Sequence, residues 1–294
     1  MNSPLPGGWE YPLSLADGCC WFFAAANAEA GPIVSRLGDV MRLRGRSPAA
    51  SPPPGIVRRL LVSVDSHSEA SPFSFETKLP SEAEGTVRCV LPLSGLDDQL
   101  YLQLMQLSGV IAREAQVRGG ILLHGALAER DGVGVVLAAP GGTGKTTASG
   151  RLPVPWRSLC DDTTLVVRDP RGNYMAHPWP TWSRFLWGGS GGRWNVQHAV
   201  PLGGIFLLSR AVEDRGEPVG AGQAVSLLVQ SAQQASQLMS RGLGREENRA
   251  MQLERFNNLC DLARVVPAHL LHISLTGVFW KEIERALEVK TTRI

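Results

Sequence analysis

The stretch LLHGALAERDGVGVVLAAPGGTGKTTASGRL, Leu122 to Leu152, carries the reading of this chain. Within it, VGVVLAA is a hydrophobic, valine-rich run of the kind that forms a buried strand. It leads into Pro140, Gly141, Gly142, Thr143, Gly144, Lys145, Thr146 and Thr147, after which a helix is expected. Glycines in such a loop let backbone N–H groups turn inward around phosphate oxygens, where side chains would clash. Lys145 can reach the β and γ oxygens, and the Thr146 hydroxyl suits Mg²⁺. A helix starting here points its positive end at the anion. The pattern departs from G-x-x-x-x-G-K-[ST] at its first glycine, which is Ala139 at the end of the strand. A nucleotide-phosphate cradle over 140–147 is expected. A glycine-rich turn that binds nothing is the plain alternative.

Such a cradle needs a metal-binding acid on a neighbouring strand. RSLCDDTTLVV supplies Asp161 and Asp162 just before an apolar run. Two adjacent carboxylates beside a strand suit Mg²⁺ binding and proton abstraction. Asp-Asp is also common in exposed turns, and its short distance from Lys145 is what separates the two readings.

The rest of the chain bounds the problem. Its 294 residues suffice for one large domain or two smaller ones. A formal charge of +2 makes no electrostatic case for nucleic acid. Cys19, Cys20, Cys89, Cys160 and Cys260 are scattered, with no CxxC pair, and read as buried thiols rather than a disulfide framework or a zinc site. The apolar run Cys19–Ala26 is too short for a membrane span and lacks a basic flank. A cytoplasmic protein without a membrane or nucleic-acid partner is expected.

GRSPAASPPPG, Gly45 to Gly55, is a loop or extended linker. Around it CCWFFAAA, VRRLLVSV, FSFETKL and TVRCVLPL read as strands. Asp97 to about Val117 fits a helix with a broad apolar face, ended by Gly119-Gly120. Beyond it the strand-like runs ILLHGALA, VGVVLAA, TTLVV, GGIFLLS and HLLHISL alternate with helices at Gly222–Met239, Glu246–Val266 and VFWKEIERALEV. The expected fold class is α/β, with a small β-rich domain over 1–95 and a second domain over 96–294.

The order strand with His-Gly, short hairpin, glycine loop, Asp-Asp pair resembles the HPr kinase/phosphorylase family. Here it reads from His124 to Asp162. An ordinary Walker motif carries no such upstream His-Gly. The later stretch VPLGGIFLLSRAVEDRGEPVGAGQAVSLLVQSA is similar to the C-terminal part of such proteins. HPWPTWSRFL, His177 to Leu186, resembles the HPr-kinase-like proteins of SynChlorMet-type (ScmC-like) peptide-modification cassettes, with lasso-peptide kinases as more distant relatives. The resemblance implies an HPr-kinase/PEP-carboxykinase-like P-loop core over 96–294. It implies ATP (or GTP) and Mg²⁺, and transfer of the γ-phosphoryl group to a Ser or Thr of a ribosomally made precursor peptide. Lys145 would hold the β/γ phosphates, Thr146 and Asp162 the Mg²⁺, and Asp161 would accept the hydroxyl proton. His124 would sit beside Asp161, tune its protonation and contact the transferred group. The roles of Asp161 and Asp162 can be exchanged. Cassette enzymes of the radical-SAM type are implied as further partners, and a homo-oligomer fits the resemblance.

The departures carry information too. Ala-Pro-Gly-Gly-Thr stands where the HPr enzymes have an acidic residue and a serine, and Thr147 stands where they carry Glu. Their later glycine- and arginine-containing signature is missing. The resemblance therefore does not extend to HPr as substrate or to the reverse, phosphorolytic reaction. A nucleotide-dependent peptide-binding module and a simple NTP hydrolase are the alternatives to a kinase.

Other candidates carry less. His177, His198, His269 and His272 read as structural. Trp179, Trp182, Trp187 and Trp194 flank a glycine run and form either a mobile aromatic loop that clasps a ligand or ordinary packing. Arg184 is a candidate for phosphate or substrate contact, with Arg193 and Arg210 less well placed. The N-terminal domain is a candidate for recognising a leader segment.

Overall fold

The computed structural model describes residues 8–47, 55–65, 76–78, 85–93, 95–139, 142–237 and 244–291. These group into two compact units. The first is drawn from 1–113 and 180–198; the second from 114–179, 199–237 and 244–294. The grouping differs from an expected boundary at 95/96, because most of the long helix and the 180–198 segment pack with the N-terminal residues.

The first unit is built on a five-stranded sheet. Its strands are β1 (Tyr11–Ser14), β2 (Cys19–Ala25), β3 (Ile56–Asp65), β4 (Glu76–Lys78) and β5 (Thr86–Pro92), in the order β1-β2-β3-β5-β4. β2, β3 and β5 run parallel. β2 buries six consecutive residues, the unbroken apolar run of a strand covered on both faces. Helix α1 (Ala30–Val40) packs on this sheet, within a region expected to be mostly strand. Proline in a first helical turn is tolerated. Gly38 is needed because a Cβ there would overlap the Tyr11 ring. Asn27 ties the helix start to β3, donating to Val64 O (2.7 Å) and accepting from Val64 N (3.1 Å). Helix α2 (Asp97–Val117) spans the predicted range and ends through Gly119, at φ 85°, and a Gly120 N–H to Ala115 O bond of 2.8 Å.

In 180–198, Trp182 and Trp194 pack within the first unit, and the Trp187 side chain lies outside what the structure describes. Trp182 and Trp194 are buried, and the Trp182 indole N–H donates to Ser108 Oγ at 2.9 Å. Phe185 stacks on Tyr101 at 4.5 Å between centroids and meets both tryptophans. These rings pack; they do not form a loose clasp. Trp179, in the second unit, is also buried.

Among the described residues the second unit holds a mixed sheet and, besides the end of α2, four helices. Its strands are β6 (Ile121–Arg130), β7 (Val133–Ala138), β8 (Arg157–Cys160), β9 (Thr163–Arg168), β10 (Tyr174–Trp179), β11 (Val200–Arg210), β12 (Arg215–Val219) and β13 (Ala268–Ile273). The order is β10-β9-β6-β7-β11-β13-β12, with β8 paired to β6. β7, β11 and β13 are parallel neighbours; β6 is antiparallel to β7, β8 and β9. The helices are α3 (Lys145–Gly150), α4 (Ala221–Ser236), α5 (Arg245–Val265) and α6 (Trp280–Thr291). In α5 the buried positions are Met251, Arg255, Leu259 and Leu262, whereas Phe256 is exposed. The molecule is a mixed α/β fold. Cys19, Cys20, Cys89 and Cys160 are buried and Cys260 is half-buried, all as free thiols. No helix of the described residues is long and apolar enough to cross a membrane.

Candidate functional site

Sheet register assembles the site. β6 pairs with β7 so that Gly125 lies opposite Ala138, and with β9 so that His124 lies opposite Thr163. The end of β7, His124 and the start of β9 therefore fall on adjoining rows at one end of the sheet. The glycine loop follows β7 directly, and Asp162 directly precedes β9. The row is held by Thr164, whose hydroxyl donates to Gly125 O at 2.8 Å. Gly125 itself admits no Cβ without displacing the Val136 side chain.

His124 Nε2 lies 2.8 Å from Asp162 Oδ1, and its Nδ1 lies 2.7 Å from Gln234 Oε1 on α4. The imidazole thus pairs with the second acid. The expectation that it sits beside Asp161 is corrected: Asp162 immediately precedes the strand that pairs with β6, and its carboxylate reaches the ring. Asp161 is partly exposed, and its charge acts on the neighbouring Cys160 thiol. Burial raises that thiol to about 11, and the Asp161 charge adds to the rise.

Burial works to raise the Asp162 carboxyl. The hydrogen bond and charge of His124, the charge of Lys145 and a hydrogen bond from Thr163 outweigh it, and the group is held below its ordinary value. Lys145 shows the reverse balance. Only 5% of the residue is exposed, and burial pulls the ammonium down while the Asp162 charge partly restores it. Its Nζ donates to Ala139 O at 2.9 Å. His124, Lys145 and Asp162 are therefore one electrostatically coupled group.

Pro140 and Gly141 of the expected cradle lie outside the described residues. Gly142 and Gly144 have φ of 77° and 107°, and a Cβ at either would meet nothing within 4 Å. Left-handed backbone, rather than crowding, requires glycine at both positions. Arg210, at the end of β11, donates from Nε to Thr143 O (3.2 Å) and from Nη2 to Gly142 O. It holds two loop carbonyls, a structural use that a lone arginine in sequence did not reveal. Lys145 opens α3, and Thr146 and Thr147 are exposed on its first turn.

The oxygens of Thr146, Asp161 and Asp162 are hard donors of the type Mg²⁺ takes. Among the described residues no group of three or more His, Cys, Asp or Glu gathers as a metal centre. A cation bound here would share these few oxygens with phosphate, which is the usual Mg²⁺ arrangement.

Arg184 is exposed on a 3-10 turn, Trp182–Arg184, in the first unit. Arg193, in the same unit, pairs with Asp39 at 3.0 Å. His177 is fully buried, and His269 stacks on Phe206 with its pKa lowered by burial. Gln234 had no sequence signal: it is one glutamine among several on a helix, and only tertiary packing brings it to His124.

Residues 87–288 match a family model described as SynChlorMet cassette protein ScmC. No curated protein matches the chain.

Proposed function

The chain belongs to the SynChlorMet cassette protein ScmC family, and from that premise we propose that it is an ATP-dependent kinase of the HPr-kinase type acting on a Ser or Thr of a precursor peptide. One observation carries the reading. The His124–Asp162 pair stands at the same end of the sheet as the strand that leads into Lys145, and Asp162 and Lys145 interact electrostatically. A protein that merely holds a nucleotide has no use for an imidazole-bound carboxylate beside the terminal phosphate.

In this reading the glycine loop over 140–147 receives the phosphates of ATP or GTP, and Lys145 exchanges its bond to Ala139 O for the β/γ oxygens. Because His124 bonds Asp162, the two acids exchange their expected roles. Asp162 orients the acceptor hydroxyl and takes its proton, and Asp161 joins Thr146 in holding Mg²⁺. That ion would supply neutralisation of phosphate charge. The new bond joins the Ser or Thr oxygen to the γ phosphorus. The bond to the bridging oxygen breaks, and the nucleoside diphosphate leaves with that electron pair. The transition state is loose, so positioning and charge stabilisation by Lys145 and His124 carry most of the rate. Cassette membership supports a peptide substrate and association with other cassette enzymes, of which radical-SAM proteins are the proposed kind.

The test is mass spectrometry of the cassette's precursor peptide after incubation with the protein and Mg-ATP. A gain of one phosphate is the expected result. Nucleotide consumption without it makes the protein a hydrolase, and neither change makes it a peptide-binding module.

A further inference from the structure

His124 is held from two sides. One is the Asp162 carboxylate; the other is Gln234 of α4, 2.7 Å from Nδ1. The same helix makes a second bond to the same residue: Ser231 Oγ donates to His124 O at 3.1 Å. Ser231 and Gln234 are three apart and share one face of the helix, so α4 grips both the backbone and the ring of His124. Ala224, Val225, Leu228 and Ala232 on the buried side seat α4 in the unit.

Gln234 stands in the last turn of α4, where helices fray. Here that turn is braced. Arg255 of α5 is buried and donates to Ser236 Oγ, two residues beyond Gln234. Asn258 of α5 donates to Gln116 O (2.7 Å) and Gly120 O (3.0 Å), fixing the turn that enters β6. One helix therefore secures both the strand that carries His124 and the helix end that carries its partner.

We propose that Gln234 is a positioning residue that fixes the His124 ring for phosphoryl transfer, a role that rests on the kinase reading above. Glutamine suits it. With its oxygen toward the ring it accepts from Nδ1–H, and with the amide turned over it donates to a bare Nδ1. It holds the ring plane in either case. Leucine leaves Nδ1 without a partner, and asparagine is one methylene too short to reach. Gln234 is exposed, so its replacement leaves the core intact.

The test uses the full chain with ¹⁵N-labelled histidine, the His124 signal being assigned from His124→Asn. Gln234→Leu and Gln234→Asn are expected to broaden or split the His124 ring signal and to lower kcat about tenfold to hundredfold, the cost of a displaced catalytic group, with KM for ATP unchanged. Gln234→Glu, which keeps an acceptor at the same reach, is expected to restore a single ring signal and most of kcat. A wild-type ring signal and wild-type kcat in both Gln234→Leu and Gln234→Asn would overturn the proposal, as would a fall in kcat that Gln234→Glu does not relieve. If the wild-type protein phosphorylates no peptide, the kinase reading fails. The ring signal then still decides whether Gln234 holds His124.

Discussion

His124 on β6 and Asp162 at the head of β9 are 38 positions apart in the chain and 2.8 Å apart in space, joined Nε2 to Oδ1. The bond spans two strands whose pairing puts Thr163 opposite His124. Any change that slips this register by one residue turns the imidazole to the other face of the sheet. The pair therefore reports on the fold as well as on chemistry.

His124→Asn is expected to lower kcat for phosphotransfer by about 10²–10³-fold, the usual span for losing one group that stabilises charge in the transition state. Nucleotide affinity should change little, because His124 does not belong to the glycine loop. Steady-state kinetics beside calorimetric nucleotide titration separates the two effects. Loss of binding in step with loss of rate would mean that His124 only supports the fold.

Asp162 should make the fold sensitive to acid. The Asp162 carboxyl sits below its ordinary value in the folded chain. Its ionised form thus adds stability above the unfolded value of about 3.9, and that gain is lost as pH falls through the folded value. Asp162→Asn should consequently lose less stability than wild type on acidification. Denaturant midpoints measured from neutral pH downward give the comparison, and parallel curves for wild type and Asp162→Asn would contradict it.

Lys145→Met should remove most nucleotide binding, since hydrogen bonds to charged groups are worth about 1.5–3 kcal/mol each and the ammonium makes more than one to phosphate. Folding should survive. The ammonium is desolvated in the folded chain, and methionine relieves that cost while leaving Ala139 O without its partner. The expected readout is a thermal midpoint near or above wild type together with lost affinity. A protein that unfolds instead would assign Lys145 to structure.

The glycines of the loop offer a contrast at constant side-chain change. Gly144→Ala forces alanine to φ 107° with nothing for its methyl to touch, so only backbone strain acts, roughly 1–2 kcal/mol. Gly150→Ala, inside α3 and equally open, should stabilise by about 0.5–1 kcal/mol. Opposite shifts in thermal midpoint are expected. Equal shifts would show that the loop does not keep its left-handed turn in solution.

Trp182→Ala should cost about 3–5 kcal/mol through the cavity it leaves and the lost indole bond to Ser108 Oγ. Nucleotide affinity of the folded fraction should stay as it was. Weaker binding at unchanged stability would return this tryptophan to the role of ligand clasp.

The sequence alone determined what depends on near neighbours. The strand and glycine loop around Lys145 follow from local period and backbone freedom, and α2, α4, α5 and α6 from apolar spacing. It also singled out His124, Asp161 and Asp162 as the groups to examine. It named no element over α1, where Gly38 is explained only by a Tyr11 ring packed against it. It did not expect β8, β10 or β12, whose short runs carry little periodicity of their own. Only the tertiary structure decided which acid His124 bonds, that Arg210 holds the loop carbonyls, and that Gln234 braces the ring. Each of these depends on strand register or helix docking, which bring together side chains tens of residues apart, and no local pattern encodes such a meeting.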